Sequence, residues 1–314
     1  MSEIRAERQE SWEGVERCPL CGQGSRGHAP FRSVADHGLQ LRYLRCRRCG
    51  LVFQSPRMSE SSLKAFYAAQ YRQLVQGQEG VTEKDYRMQH GRARHLVDFV
   101  AQRRGSLGRC LDVGSSTGAL LIALQRQFGC QAYGVEPGAA YRRFSQGRGL
   151  AVVEGLEDLD PSLQRSFDLI SIIHVLEHMP DPVSALSDLR SRWLSPQGAL
   201  LIEVPNLYGH MSFELAHLIA FSAHTLRETL RRAGFALEGI VAHGRPRSRL
   251  IPLYLTAWAV PAQGDAAAPR PERLVGLRRW AGDLWRAAAT RLFPWWAWLP
   301  LPDVEGQDLR GEVD

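Results

Sequence analysis

The sequence predicts an α/β architecture: a seven-stranded, largely parallel sheet with helices on both faces, a small cysteine-bearing module before it and a helical extension after it. Three observations carry that prediction. Residues 109–118, RCLDVGSSTG, are a short apolar run, an acid and two glycines framing a three-residue turn, and they open into the helical stretch ALLIALQRQFG. Two Cys-x2-Cys pairs stand near the start of the chain. Beyond Val260 the strand pattern gives way to PAQGDAAAPRPE and then to a helical stretch rich in arginine and tryptophan.

The 314 residues can hold one full α/β domain plus smaller attachments. The net charge is +6, but Lys64 and Lys84 are the only lysines and the arginines are scattered among acids. Nucleic acid is therefore not the expected partner. The opening MSEIRAERQE is polar, and no apolar run reaches the ~18–20 residues that span a bilayer. A cytoplasmic protein with reduced thiols is expected, so clustered cysteines read as metal ligands.

Cys18-Pro-Leu-Cys21 and Cys46-Arg-Arg-Cys49 are separated by twenty-four residues, and each pair is followed by a glycine. Two thiolates three residues apart can turn onto one tetrahedral ion, so Cys18, Cys21, Cys46 and Cys49 are expected to hold a structural Zn2+ with no open position. The intervening FRSVADHGLQLRYLRC predicts a β-hairpin turning at His37-Gly38, completing a zinc ribbon over residues 1–56. A helical connector over 57–95 follows, with Ser59 as N-cap and Leu63, Phe66 and Tyr67 as its apolar stripe. Cys110 and Cys130 read as plain core residues.

The glycine unit points to nucleoside recognition. Eighteen residues after Gly118 a second apolar run, QAYGVE, ends in Glu136. A strand, Gly turn, helix and second strand closed by an acid bring backbone close to a ligand and set a carboxylate against ribose hydroxyls. Dinucleotide sites want G-x-G-x-x-G, whereas this chain has Gly114-Ser-Ser-Thr-Gly118 with Asp112 two residues earlier. An acid there would repel pyrophosphate and suit a cationic amino-acid tail, which points to S-adenosylmethionine rather than NAD.

LDVGSSTG resembles the first motif, LD-x-G-x-G-x-G, of class I S-adenosylmethionine-dependent methyltransferases. It departs from the motif at Ser116, which is tolerable if that residue keeps a negative φ. The resemblance implies a Rossmann-like methyltransferase sheet over residues 96–261. It also implies that Asp112, Gly114, Ser116 and Gly118 receive the methionine end, Glu136 the ribose, and Leu156 and Glu157 the adenine. CPLCG, RCRRCGLVF and a following segment bearing FY and Y resemble a bacterial methyltransferase group with N-terminal four-cysteine zinc modules. That group includes sugar C-methyltransferases, whose tyrosine-bearing arm reaches the active site. The likeness makes Tyr67 or Tyr71 a candidate, with ordinary packing as the alternative for each.

The remaining strands follow in order. AVVEG (151–155) is a third strand. SFDLISII is a buried parallel strand with HVLEH at its carboxyl end, where open α/β sheets bind ligands. His174 reads as cofactor- or substrate-facing and His178 as a loop anchor. Asp181 and Pro182 start a helix, and GALLIEVPN (198–206) is a fifth strand. LYGHMSFELAHLIAF then delays a helix capped by Ser222 and stopped at Gly234. FALEGIVAHG and SRLIPLYLTAWAV read as two closing strands, antiparallel at one edge. His217-Leu-Ile-Ala-Phe-Ser resembles the H-L-x-x-[FY]-S stretch of the sugar C-methyltransferases, where the histidine is a catalytic base. The resemblance makes His217 the candidate base, although Ala216 stands where that group carries glutamate.

The expected activity is O- or C-methylation of a small molecule or glycan, with a sugar or lipid-linked envelope glycan among the acceptors. An RNA methyltransferase and a catalytically silent S-adenosylmethionine-binding protein are the alternatives. In the extension (262–314), Leu274, Leu277, Ala281, Leu284, Ala288 and Leu292 share one helical face, followed by PWWAWLPLP. Two readings stand: a helix packed on the domain or on a partner subunit, and peripheral contact with the inner membrane face through residues 272–300.

Overall fold

The computed structural model describes residues 12–69, 74, 80–211, 213–262 and 267–303. Its N-terminal part holds β1 (Trp12–Glu13), the hairpin β2 (His28–Asp36) and β3 (Leu39–Cys46), then β4 (Val52–Gln54) and β5 (Arg57–Met58). The hairpin turns at His37 and Gly38, both at positive φ (47° and 73°), the conformation a two-residue turn needs to match strand twist. Two helices follow, α1 (Glu60–Ala69) and α2 (Glu83–Ala101), the second capped by Thr82. α2 is continuous through residue 95, so the boundary expected there falls inside one element.

The main sheet is built from β6 (Arg109–Val113), α3 (Ala119–Phe128), β7 (Gln131–Val135), α4 (Ala139–Gln146), β8 (Ala151–Val153), β9 (Phe167–Ile173), α5 (Pro182–Arg192) and β10 (Leu194–Pro205). After it come β11 (Ile219–Ala220), α6 (Ala223–Arg232), β12 (Phe235–His243) and β13 (Tyr254–Pro261). The seven strands run β12-β13-β10-β9-β6-β7-β8, and the order reverses direction between β6 and β9. The β10-β9-β6-β7-β8 pairings are parallel, while β13 runs antiparallel to both β10 and β12. Of the two closing strands, therefore, only β13 opposes the rest, and it lies one place in from the edge. It also starts later than its apolar pattern suggests, because Ser248 Oγ accepts from the amides of Leu250 and Ile251 and holds them in a turn.

Strand residues alternate between two buried faces. Leu111, Ile170, Leu200 and Ile202 point toward α5 and α6, while Cys110, Leu169, Ala199 and Leu201 point toward α2 and α3. Both faces are apolar, as a covered parallel sheet requires. The first core continues without a break into the N-terminal part through Leu41, Tyr43 and Phe53. The segment after β10 makes that connection. β11 leaves the main sheet and pairs with β4, so the second sheet reads β11-β4-β3-β2.

The chain ends in α7 (Val275–Leu292) and α8 (Pro294–Ala297). Among the described residues, no helix is long and apolar enough to cross a membrane.

Candidate active site and cysteine cluster

A cavity of about 500 Å³ opens at the carboxyl rim of the sheet, beside the β6/β9 reversal point. Asp112, Gly114, Ser116, Glu136, Leu156, Glu157 and His174 all line it, as do Gln89 and Arg92 from α2 and Leu63 from α1.

The glycine loop is shaped by contacts that the motif alone does not show. Gly114 has φ 80°, and a Cβ there would run into Val175 Cγ2. Its amide and that of Ser115 both donate to Val135 O, at 2.8 and 2.9 Å, tying the loop to β7. Ser116 takes φ 50° rather than the negative value expected of it, a left-handed conformation costing a serine about 1–2 kcal/mol. Its amide donates to Glu136 Oε2 at 2.9 Å and its carbonyl accepts from Ser145 Oγ at 3.0 Å, which holds it there. Gly118 (φ 72°) is not among the cavity-lining residues. A Cβ on it would meet Leu150 and Ser145, so this glycine serves close packing of α3 rather than the ligand.

Glu136 is 4% exposed, and Oε1 accepts from Gly138 N at 2.9 Å. Its two oxygens offer about four acceptor positions. Backbone amides of Ser116 and Gly138 hold the carboxylate in place at the end of β7. Asp112 is buried and accepts from Ser171 Oγ at 2.6 Å. Burial lifts its carboxyl to about 7, outweighing the Ser171 hydrogen bond. Such a group gains most from a cation placed beside it. A buried acid closing β7, a second buried acid on β6 and the bare backbone at Gly114 fit S-adenosylmethionine.

The cavity also borders an ionic network that sequence reading missed. His174, at φ 56°, sits between two buried carboxylates, with Nε2 3.2 Å from Glu203 Oε1 and Nδ1 3.4 Å from Glu177 Oε1. Glu203 also meets Arg92 Nε at 3.0 Å, His243 Nε2 at 3.3 Å and Thr256 Oγ1 at 2.8 Å. Burial and Arg92 push the His174 imidazole down, but pairing with the two glutamates outweighs them and the net shift is upward. Burial raises Glu203, yet its histidine and arginine partners hold it well below the usual carboxylate range. The available signal was an acid in the middle of the apolar strand GALLIEVPN, since a buried charge demands partners.

His178 lines the cavity, and its Nδ1 donates to Ala216 O at 2.8 Å, leaving Nε2 as the basic nitrogen. Burial lowers it to about 4 against the pull of Glu177. Its ring centroid is 4.8 Å from that of His217. His217 itself is 9% exposed and is not among the cavity-lining residues. His217 Nδ1 lies 3.3 Å from Glu214 Oε1, so a carboxylate three residues upstream meets the ring although Ala216 is not one. Burial would raise Glu177, but pairing with His174 and the nearby His178 and His217 bring it to about 2. Ligand atoms of Glu177, His178 and His217 lie within 4.8 Å of one another, close enough to bracket a cation as well as to pass a proton. Tyr43 fixes this segment from the N-terminal sheet, its hydroxyl donating to the carbonyls of Glu214 (2.9 Å) and His217 (2.7 Å). Tyr71 lies outside the described residues, as does the side chain of Tyr67.

The four N-terminal cysteines converge. Cys18 Sγ is 3.6 Å from Cys49 Sγ and Cys21 Sγ is 3.5 Å from Cys46 Sγ, with all four sulfurs within 4.8 Å. Sulfurs about 2.3 Å from a tetrahedral ion stand about 3.8 Å apart. The set therefore fits a four-thiolate metal site.

Sheet order, glycine loop and paired acids define an S-adenosylmethionine-binding α/β domain. Residues 85–239 match the methyltransferase domain family and belong to the class I S-adenosylmethionine-dependent methyltransferases. The chain is 30% identical over 118 residues to a ubiquinone biosynthesis O-methyltransferase of Xylella fastidiosa, covering 35% of this chain and 47% of that protein. It is 31% identical over 119 residues to the enzyme of the same name from Alkalilimnicola ehrlichii, covering 35% and 47%. It thus spans about half the length of the curated relatives it matches. The fold is similar to that of the Burkholderia thailandensis 1,6-didemethyltoxoflavin-N1-methyltransferase, whose crystal structure holds 1,6-didemethyltoxoflavin and S-adenosylhomocysteine. The TM-score is 0.53 at 18% identity, over 74% of this chain and 99% of that one.

Proposed function

We propose that the protein methylates a hydroxyl or an activated carbon of a small molecule or glycan at the carboxyl rim of its sheet. One observation carries this reading: a single cavity is lined by Asp112 and Glu136 together with His174 and His178. Its volume is that of a small-molecule site. Bound S-adenosylmethionine supplies an electrophilic methyl group. The chain's own residues orient the acceptor in line with it, a contribution worth roughly 7–11 kcal/mol, and take up the departing proton.

His178 is the group best placed to meet the acceptor, with His217 beside it as a positioning residue oriented by Glu214. A basic nitrogen titrating near 4 is sufficient, because a hydroxyl oxygen becomes strongly acidic as it takes on a methyl group. The four cysteines hold a structural Zn2+ that fixes the N-terminal module.

The test is turnover with labelled cofactor across phenols, sugars and lipid-linked glycans, with RNA as a control acceptor. Methylation of a small acceptor, with RNA left unlabelled, is expected. His178→Ala is expected to lower turnover roughly 10²–10⁴-fold with S-adenosylhomocysteine affinity retained. His217→Ala is expected to cost less and to move the acid limb of the pH profile upward, because His217 helps depress His178. Unchanged turnover in His178→Ala would remove it from the reaction.

A further inference from the structure

α7 is docked with its polar side inward. Arg279 is 5% exposed and donates to the carbonyls of Leu207 and His210, while Arg286 donates to Gly209 O at 3.2 Å. Asp283 pairs with Arg279 at 2.6 Å and with Arg32 of the N-terminal hairpin at 3.3 Å. Between them Gly282 lies against the Tyr208 carbonyl so closely that no side chain would fit. The helix grips the 207–210 segment, which continues to Glu214 and His217, through charges and hydrogen bonds.

The apolar side faces outward, the reverse of an ordinary surface helix. Leu277, Trp280, Leu284 and Leu292 recur at helical spacing and are each at least half exposed, and Trp295 and Trp296 of α8 extend the strip. Among the described residues, eleven large hydrophobic side chains are exposed, and nine of them fall within residues 274–296. Concentration on that scale marks a surface that something covers. Within residues 270–296, six arginines face only two acids, Glu272 and Asp283. Arg273, Arg278 and Arg291 are exposed alongside the apolar strip.

We propose that the outward face of α7 and α8 lies flat on an anionic lipid bilayer, with its tryptophans at headgroup depth and its exposed arginines on lipid phosphates. Tryptophan and arginine are the side chains that suit that boundary, one apolar with a polar edge and the other a long stem ending in charge. The positive excess distinguishes a negatively charged surface from a second copy of this chain, whose matching face would carry the same sign. The surface stands on its own geometry and does not depend on which acceptor is methylated.

Flotation of the full chain with vesicles tests this. Vesicles of phosphatidylcholine mixed with phosphatidylglycerol should carry the protein upward and shift its tryptophan emission to the blue, with added salt weakening both. Vesicles of phosphatidylcholine alone should carry much less. The Trp280→Ser, Trp295→Ser double variant should lower partitioning at least tenfold, and Arg273→Glu with Arg291→Glu should lower it on the anionic vesicles. Both variants should keep wild-type affinity for S-adenosylhomocysteine, which reports an intact fold. A chain that stays behind with both vesicle types would overturn the proposal, as would a double variant that floats like the parent. A dimer in light scattering that dissociates in the tryptophan variant, without flotation of the parent, would assign the face to a second copy instead.

Discussion

The most informative perturbation is a proton on Asp112. Its carboxyl titrates near 7 in the unliganded protein, against 3.8 for an ordinary aspartate, because burial penalises the charge. On the proposed reading a cationic methionine tail beside it restores the charged form. Binding below pH 7 must therefore displace a proton first. At pH 6 only about a tenth of the molecules carry the charge, so affinity falls about tenfold, or about 1.4 kcal/mol, and roughly another tenfold at pH 5. The sign for stability is opposite. Between pH 3.8 and 7 the folded protein keeps a proton that the unfolded chain has released, so the unliganded domain loses stability as pH rises through that window, and ligand recovers it. Calorimetry with S-adenosylhomocysteine from pH 5.5 to 8.5, in two buffers of different ionisation enthalpy, measures both the slope and the released proton. Asp112→Asn can keep the Ser171 hydrogen bond, and should bind at least tenfold more weakly at pH 8 with a flat profile. A wild-type affinity that does not vary over this range, or the same slope in the variant, would refute the reasoning.

Two further substitutions separate the roles of the acids and glycines around the cavity. On the proposed reading Glu136 accepts the ribose hydroxyls, so Glu136→Ala should weaken S-adenosylhomocysteine binding about 100-fold by calorimetry, since hydrogen bonds to a charged group are worth about 1.5–3 kcal/mol each. Gly118→Ala strains a left-handed position against Leu150 and should lower stability by about 1–3 kcal/mol in thermal unfolding. Because Gly118 is not among the cavity-lining residues, cofactor affinity of the folded variant should stay within about threefold.

The fold was legible because its cues are local. The strand run and glycine turn of RCLDVGSSTG, the D-P helix start and the alternating apolar runs each specify an element without reference to distant residues. What escaped the sequence was long-range. Nothing local says that Ser116 adopts positive φ, because its amide is aimed by Glu136, twenty residues away. Gly118 matches the motif yet answers to Leu150 and Ser145, which pack on it from another element. The His174–Glu203–Arg92 cluster joins β9, β10 and α2, and no spacing pattern announces it. His217, the base expected from its motif, is not among the cavity-lining residues, whereas His178, which read as a loop anchor, both anchors Ala216 and lines the cavity.

The N-terminal module bears on the reaction through one short strand. β4 ends at Gln54, three residues before β5 begins, but in space it pairs with β11, with Phe53 opposite Ile219 and Val52 opposite Ala220. Gln54 N donates to Leu218 O, and the Tyr43 hydroxyl holds the carbonyls on either side of that histidine-bearing turn. Cys46 ends β3 and Cys49 precedes β4, so a metal held by the thiolates sets the register of the strands that position Glu214 and His217. Asp112 and Glu136 rest instead on β6, on the end of β7 and on the glycine loop. Losing the metal should therefore separate the two functions. Cys49→Ser, or treatment with a chelator, should release bound zinc in elemental analysis and lower turnover at least tenfold, while affinity for S-adenosylhomocysteine changes much less. An equal loss of both would mean that the module supports the whole domain, and unchanged turnover in metal-free protein would break the link between the cysteines and the histidine segment.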